Sequence, residues 1–140
     1  MADKIKLGQV SGAINDILKD YKDYCDKVTY EDIEEAGTVA QKKVKELAPV
    51  AVAAYKKWEP NAELISPGKY KKSWRKMMEG KGTSKPSAVV YSGQYSLVHL
   101  LENGHAKKGG GRVRGYSHVA PAEEEAEEIL MRKLTSDLGG

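Results

Sequence analysis

Apolar residues return at steps of three and four from Val10 to Val28, through Ile14, Ile17, Leu18, Tyr21, Tyr24 and Cys25. That spacing predicts an amphipathic helix from about Gln9 to Lys27 with one apolar face. Thr29-Tyr-Glu-Asp32 then resembles a capping box with a shortened acid, and Val28 and Ile33 are placed to form a hydrophobic staple around it. A second helix is expected there, carrying Ile33, Ala36, Ala40, Val44, Leu47 and Ala48. Pro49, which lacks the donor an interior position needs, should end or kink it. Val50 to Trp58 reads as a further helical stretch, closed by turn signals at Glu59-Pro-Asn61 and Ser66-Pro-Gly68.

The period then changes. Tyr70, Lys72, Trp74, Lys76 and Met78 alternate with Lys71, Ser73, Arg75 and Met77, which predicts a strand. Gly80 to Pro86 is a basic turn expected to project from the body, and Ala88 to Tyr91 reads as the returning strand of a hairpin. Tyr95 to Asn103 is a short helix with Leu97, Leu100 and Leu101 on one face and Gly104 placed as a left-handed cap. Gly109-Gly-Gly111 between basic residues predicts a mobile loop, because glycine costs ordering entropy and buries no side chain. Arg112 to Val119 reads as a third strand. The last helix has Pro121 in its first turn, Glu123, Glu124 and Glu125 towards its positive end, and Arg132 and Lys133 at its negative end. Its buried stripe is Ala122, Ala126, Ile129, Leu130 and Leu134, and it should end before Gly139.

These elements point to an α+β fold, with N-terminal helices and a C-terminal helix packed on a small antiparallel sheet. A chain of 140 residues suits one domain, read as a helical part over 1–58, a sheet with basic loops over 66–120 and a terminal helix over 121–138. No apolar run approaches the roughly 18 residues a membrane span requires, and residues 1–6 do not start a secretory signal. A membrane is therefore not expected among the partners, and the cytoplasm is the expected compartment. Cys25, the one cysteine, excludes an internal disulfide; at helical spacing from Tyr21 and Val28 it reads as a small core residue.

The net charge of +3 hides a strong asymmetry. From Lys69 to Gly115 eleven Lys or Arg face only Glu79 and Glu102, a local +9, while residues 1–35 and 116–140 carry −4 each. Such a block, interleaved with Tyr70, Trp74, Tyr91 and Tyr116, suits phosphates and bases, so a nucleic-acid-binding module or small toxin-like ribonuclease is the alternative reading. The bland reading is that the aromatics face the core and the lysines are a solvated surface.

Dedicated chemistry is not indicated. His99 and His105 flank Glu102, but they lie six apart with Gly104 between them, unlike helical zinc ligands one turn apart. The glycine triplet has no following Gly-Lys-Ser/Thr and is not a phosphate-binding loop. No catalytic residue, metal or cofactor is expected.

Three strings in order carry a resemblance: Tyr95-Ser-Leu-Val-His-Leu-Leu-Glu-Asn-Gly-His-Ala, Gly110-Gly-Arg-Val113, and His118-Val-Ala-Pro-Ala-Glu123. Together they resemble the tail-completion or head-tail joining family of long-tailed bacteriophages, named after gene product ten of a lambdoid phage. Gly68-Lys-Tyr70 with Trp74 looks like that family's Gly-Lys-Tyr strand start, with Ser73 where glycine is common. The likeness spans roughly 66–134, and residues 50–65 depart from it by a longer approach to Gly68.

The resemblance implies a structural protein of the virion, made in the host cytoplasm, acting at the head-tail interface or upper tail. Its implied partners are neck, connector or tail-terminator proteins, in a ring of six- or twelve-fold symmetry, with possible contact to packaged DNA. The free chain is expected to be a monomer that orders on its target. Lys81, Lys85, Lys107, Lys108, Arg112 and Arg114 are the candidate contact residues. His99, Glu102, His105 and His118 are assigned to an internal polar cluster that fixes the glycine loop.

Overall fold

The computed structural model describes residues 9–50, 55–56, 64–65, 68–107 and 109–139. A single helix, α1, runs from Val10 to Leu47 over 38 residues. At 1.5 Å of rise per residue that is roughly 57 Å. The two helices expected from the capping-box pattern are therefore one. Thr29-Tyr-Glu-Asp32 holds nothing that breaks a helix, and Asp32 is turned inward at 3% exposed instead of capping a new start. What changes at this point is the partner of the apolar face, not the direction of the chain.

A second helix, α4 (Val119–Leu138), lies antiparallel along the C-terminal half of α1. Lys43 pairs with Glu125 at 3.5 Å and Lys133 with Glu35 at 2.6 Å, so the two helices advance in opposite directions at equal steps. Strands β3 (Trp74–Glu79) and β4 (Ser87–Ser92) form an antiparallel hairpin with Trp74 opposite Ser92 and Glu79 opposite Ser87. The hairpin lies along the same half of α1. Gln41 Nε2 donates to the Trp74 carbonyl at 3.2 Å, and Lys76 Nζ donates to Thr38 Oγ1 at 2.7 Å. Its tip does not stand clear of the body as expected: Lys81 Nζ sits 6.0 Å from the centre of the Tyr30 ring.

Between α1 and the hairpin come an antiparallel pair, β1 (Tyr55–Lys56) with β2 (Leu64–Ile65), and a one-turn helix, α2 (Lys69–Lys72). Val50 is thus irregular and Tyr55 and Lys56 are in a strand, not a helix; the remainder of the expected Val50–Trp58 stretch and the Glu59–Asn61 turn lie outside the described residues. Gly68, at φ 81°, turns the chain into α2, so the expected strand from Tyr70 begins only at Trp74. One helical turn between them lets Tyr70 and Trp74 face the same interior, at 3% and 4% exposed.

After the hairpin come α3 (Tyr95–Asn103) and a minimal antiparallel pair, β5 (His105–Ala106) with β6 (Arg112–Val113). The expected third strand stops at Val113, because residues 114–118 turn to start α4. The glycine triplet closes this pair: all three residues have positive φ, and Lys107 N–H donates to the Gly111 carbonyl at 2.9 Å. Buried Val44, Ala48, Tyr70, Trp74 and Ala122 form the core, with Val90, Leu97, Val98, Leu101 and Val119 packed against it. Cys25 is not in that core; it lies half-buried on the N-terminal half of α1. No helix among the described residues is long and apolar enough to cross a membrane.

Gly37 lets α1 and β4 approach closely. A Cβ there would stand 2.8 Å from Ala88 Cβ and 3.2 Å from Lys76 Cδ, so a larger side chain must push the hairpin away. Gly37→Leu is expected to lower stability by about 1–3 kcal/mol despite its better helix propensity, measured by urea unfolding.

Asp32 gives a second expectation. Burial pushes its carboxyl above the usual carboxylate range, the Asp137 carboxyl beside it adds to this, and Lys133 opposes. A raised folded-state value means that ionisation works against the fold, at a cost that disappears as pH falls through that value. Asp32→Asn should therefore raise the melting temperature at pH 7, with the gain shrinking towards pH 4; a lower melting temperature at pH 7 contradicts this account.

Candidate functional site

The most distinctive residues of the chain meet where α3 ends and α4 begins. No side chain caps α4 locally, since His118 occupies the N-cap position with its ring turned into the core at 0% exposed. The first N–H groups of any helix lack intrahelical acceptors, and leaving them dry is costly. Glu102, at the end of α3, supplies the acceptors. Its Oε2 accepts from the His118 and Val119 N–H groups at 2.7 and 2.9 Å, and its Oε1 from the Ala120 N–H at 3.0 Å and the Ser117 hydroxyl at 3.1 Å.

The same carboxylate reaches the histidine ring. His118 Nδ1 lies 2.6 Å from the Tyr116 carbonyl and 2.9 Å from Glu102 Oε2. Two acceptors face that nitrogen, so it donates, and Nε2 at 2.6 Å accepts from the Tyr70 hydroxyl. Tyr70 and Trp74 stand edge-on to the imidazole, with ring centres 5.5 and 6.1 Å away. Burial pushes the Glu102 carboxyl up, but the Val119, Ala120 and His118 N–H groups and the Ser117 hydroxyl outweigh it and hold the group below the usual range.

Backbone contacts tighten the junction. Gly104 has φ 73° and ψ −178°, so it sends the chain directly into β5 instead of adopting the left-handed cap expected of it. Any Cβ there would collide with the Val113 carbonyl. Tyr116 N–H donates to the Leu101 carbonyl at 2.6 Å. Segments 95–106, 110–113 and 116–123 are thereby one stitched unit.

Of the four residues assigned to a polar cluster, the structure brings together Glu102 and His118. His99 is exposed on α3, and His105 is exposed with Nδ1 3.1 Å from the neighbouring Ala106 carbonyl. Tyr70 and Ser117 belong to the cluster and were not anticipated. A signal for it does exist in the chain: His118-Val-Ala-Pro121 opens a strong helix with no capping residue at its N-cap, so an acceptor has to come from elsewhere.

The candidate contact residues fall into two groups. Lys81 and Lys85 are exposed at the hairpin tip, beside Tyr30; Lys107, Arg112 and Arg114 are exposed around β5 and β6, near the start of α4. Lys108 lies outside the described residues. Helical rise along α1 from Tyr30 to the level of the α4 start sets the groups roughly 25 Å apart. The described candidate contact residues are thus split between opposite ends of the body.

An apolar groove of ≈ 610 Å³ lies between α1, the hairpin and α4, lined by Ile33, Ala40, Trp74, Ala126 and Leu130 among others. No group of three His, Cys, Asp or Glu among the described residues could hold a metal ion. Compared with known proteins, the chain matches no family, no curated protein and no solved structure.

Glu102→Gln is expected to lower stability at pH 7 by about 1.5–3 kcal/mol, since a neutral amide caps three N–H groups less well. A depressed folded-state value gives stability that is present at neutral pH and lost as pH falls from the unfolded value through the folded one. The variant should lack that component of acid destabilisation, which parallel melting curves from pH 7 to 3 would display. His105→Ala, losing one exposed contact, should change stability by less than about 0.5 kcal/mol.

Proposed function

We propose that this chain is a structural subunit of a long-tailed bacteriophage virion, acting in tail completion or head-tail joining within a ring at the neck or upper tail. The reading begins from the three strings that resemble that family. The observation that carries it furthest is the use to which those strings put their polar residues. Glu102 and His118, which invite a catalytic reading, are spent on capping α4 and on bonds to Tyr70 and the Tyr116 carbonyl. The motif is the junction of a scaffold.

That scaffold leaves its charge outside. Exposed cations at opposite ends of the body give two separate contact surfaces, an arrangement suited to a subunit wedged between neighbours. Acidic α4, with Glu123, Glu124, Glu127 and Glu128 exposed, offers the complementary sign on the same chain. Subunits repeating around an axis need unlike surfaces that meet head to tail.

The test is reconstitution. Purified protein added to tails or DNA-filled heads lacking it is expected to enter the particle stoichiometrically and restore infectivity. A protein that ignores both particles but binds a DNA or RNA fragment at low salt, and releases it at moderate salt, overturns the virion role in favour of nucleic-acid binding.

A further inference from the structure

The contacts described above between the body and α1 lie at Tyr30 and beyond, and Cys25 and Val28 just before it are half-buried. The helix nevertheless continues N-terminally to Val10 with its apolar face outward: Ile17 is 67% exposed and Tyr21 61%, with Ile14, Leu18 and Tyr24 each at least half exposed. Together these side chains offer on the order of 500 Å² of apolar surface, at the upper end of the largest patch of a typical monomer.

The spacing of that face names what covers it. Val10, Ile14, Ile17, Tyr21, Tyr24 and Val28 alternate steps of four and three, a repeat of 3.5 residues. Such a stripe matches the seam of helices packed side by side, with a drift of only about 20° per heptad on a straight helix. In heptad terms Ile14, Tyr21 and Val28 are a positions, and Val10, Ile17 and Tyr24 are d positions. Leu18 and Cys25 fall at e and widen the stripe beyond a two-stranded seam. Isoleucine at both a and d also favours three or four strands over two.

Charge selects the partner and its direction. In a parallel, in-register bundle of identical arms, the flanking positions set Asp20 beside Cys25 and Ala13 beside Leu18 of the next copy, so like charges do not meet. Antiparallel pairing would bring Asp20 against Asp20. The apolar groove of another copy is a poorer host, because Glu123 and Glu127 line it while Asp16, Asp20 and Asp23 outnumber Lys27 along one side of the stripe. We propose that the Val10–Val28 arm of α1 associates with the same arm of two or more further copies in a parallel helical bundle. This sets all bodies at one end, as closed cyclic symmetry requires, and it replaces the free monomer expected from the sequence.

Sedimentation equilibrium of the full chain tests the assignment. The wild-type protein is expected to have the mass of three or more copies. Ile14→Glu/Ile17→Glu, which keeps good helix formers at exposed positions, is expected to fall to a single chain that stays folded, with a melting curve that no longer depends on protein concentration as the wild type's does. A short bismaleimide should cross-link Cys25 to Cys25 in the wild-type oligomer; an antiparallel arrangement would separate these thiols by roughly 18 Å along the axis and leave them unlinked. A wild-type protein that sediments as one chain at high micromolar concentration overturns the proposal, as does a variant that keeps the wild-type mass or an oligomer that resists cross-linking. A chain that oligomerises as stated yet fails to enter phage particles refutes the virion role and leaves the arm assignment standing.

Discussion

The rest of the structure hangs on one carboxylate. Glu102 accepts the first backbone donors of α4 while lying 2.9 Å from the Nδ1 of a fully buried histidine. Three elements are fixed by this single side chain: the end of α3, the start of α4 and, through the Tyr70 hydroxyl on Nε2, the turn that leads into the hairpin. The polar side-chain atoms of Glu102, His118 and Tyr70 all have partners, which is the condition under which such a network adds rigidity. The turn at Gly104 is subordinate to it, because it only lets the backbone reach the geometry the carboxylate holds.

The second organising fact is the length of α1. Its C-terminal half is a shared floor on which α4 and the hairpin lie side by side, close enough at Gly37 that no Cβ fits comfortably. Its N-terminal half extends beyond the end of α4, since Lys133 pairs with Glu35 and α4 ends only five residues later at Leu138. The helix therefore changes from a core element to an arm at about Tyr30. Its apolar face continues through this point while its partner within the chain does not.

The placement of charge follows from the same frame. The candidate contact cations belong to one block of the sequence but not to one patch in space, because the hairpin runs one way along α1 and the β5–β6 pair sits at the other end of α4. Phosphate binding by a single patch needs those cations together. Two separated basic surfaces and an acidic helix fit contacts with more than one neighbour better than they fit one continuous groove for a nucleic acid.

The sequence by itself determined the mixed helix and strand composition, the hairpin around Gly80–Pro86, the extent of α3 and nearly the whole of α4. Each is encoded locally, by hydrophobic period, by turn residues or by proline and charge placement within a few residues. It also placed Glu102 and His118 in one cluster. Only the tertiary structure decided that Thr29-Tyr-Glu-Asp32 continues a helix, because a potential cap acts as one only where the chain leaves helical geometry. The same holds for Tyr70: its alternation with Lys72 and Trp74 is equally consistent with a strand, and the core chose one helical turn so that both aromatics face His118. Whether the stripe from Val10 to Val28 is buried or bare depends on where α4 stops, and that length is set by contacts almost a hundred residues away. Local pattern specifies which face of an element is apolar; what lies against that face is a property of the folded chain.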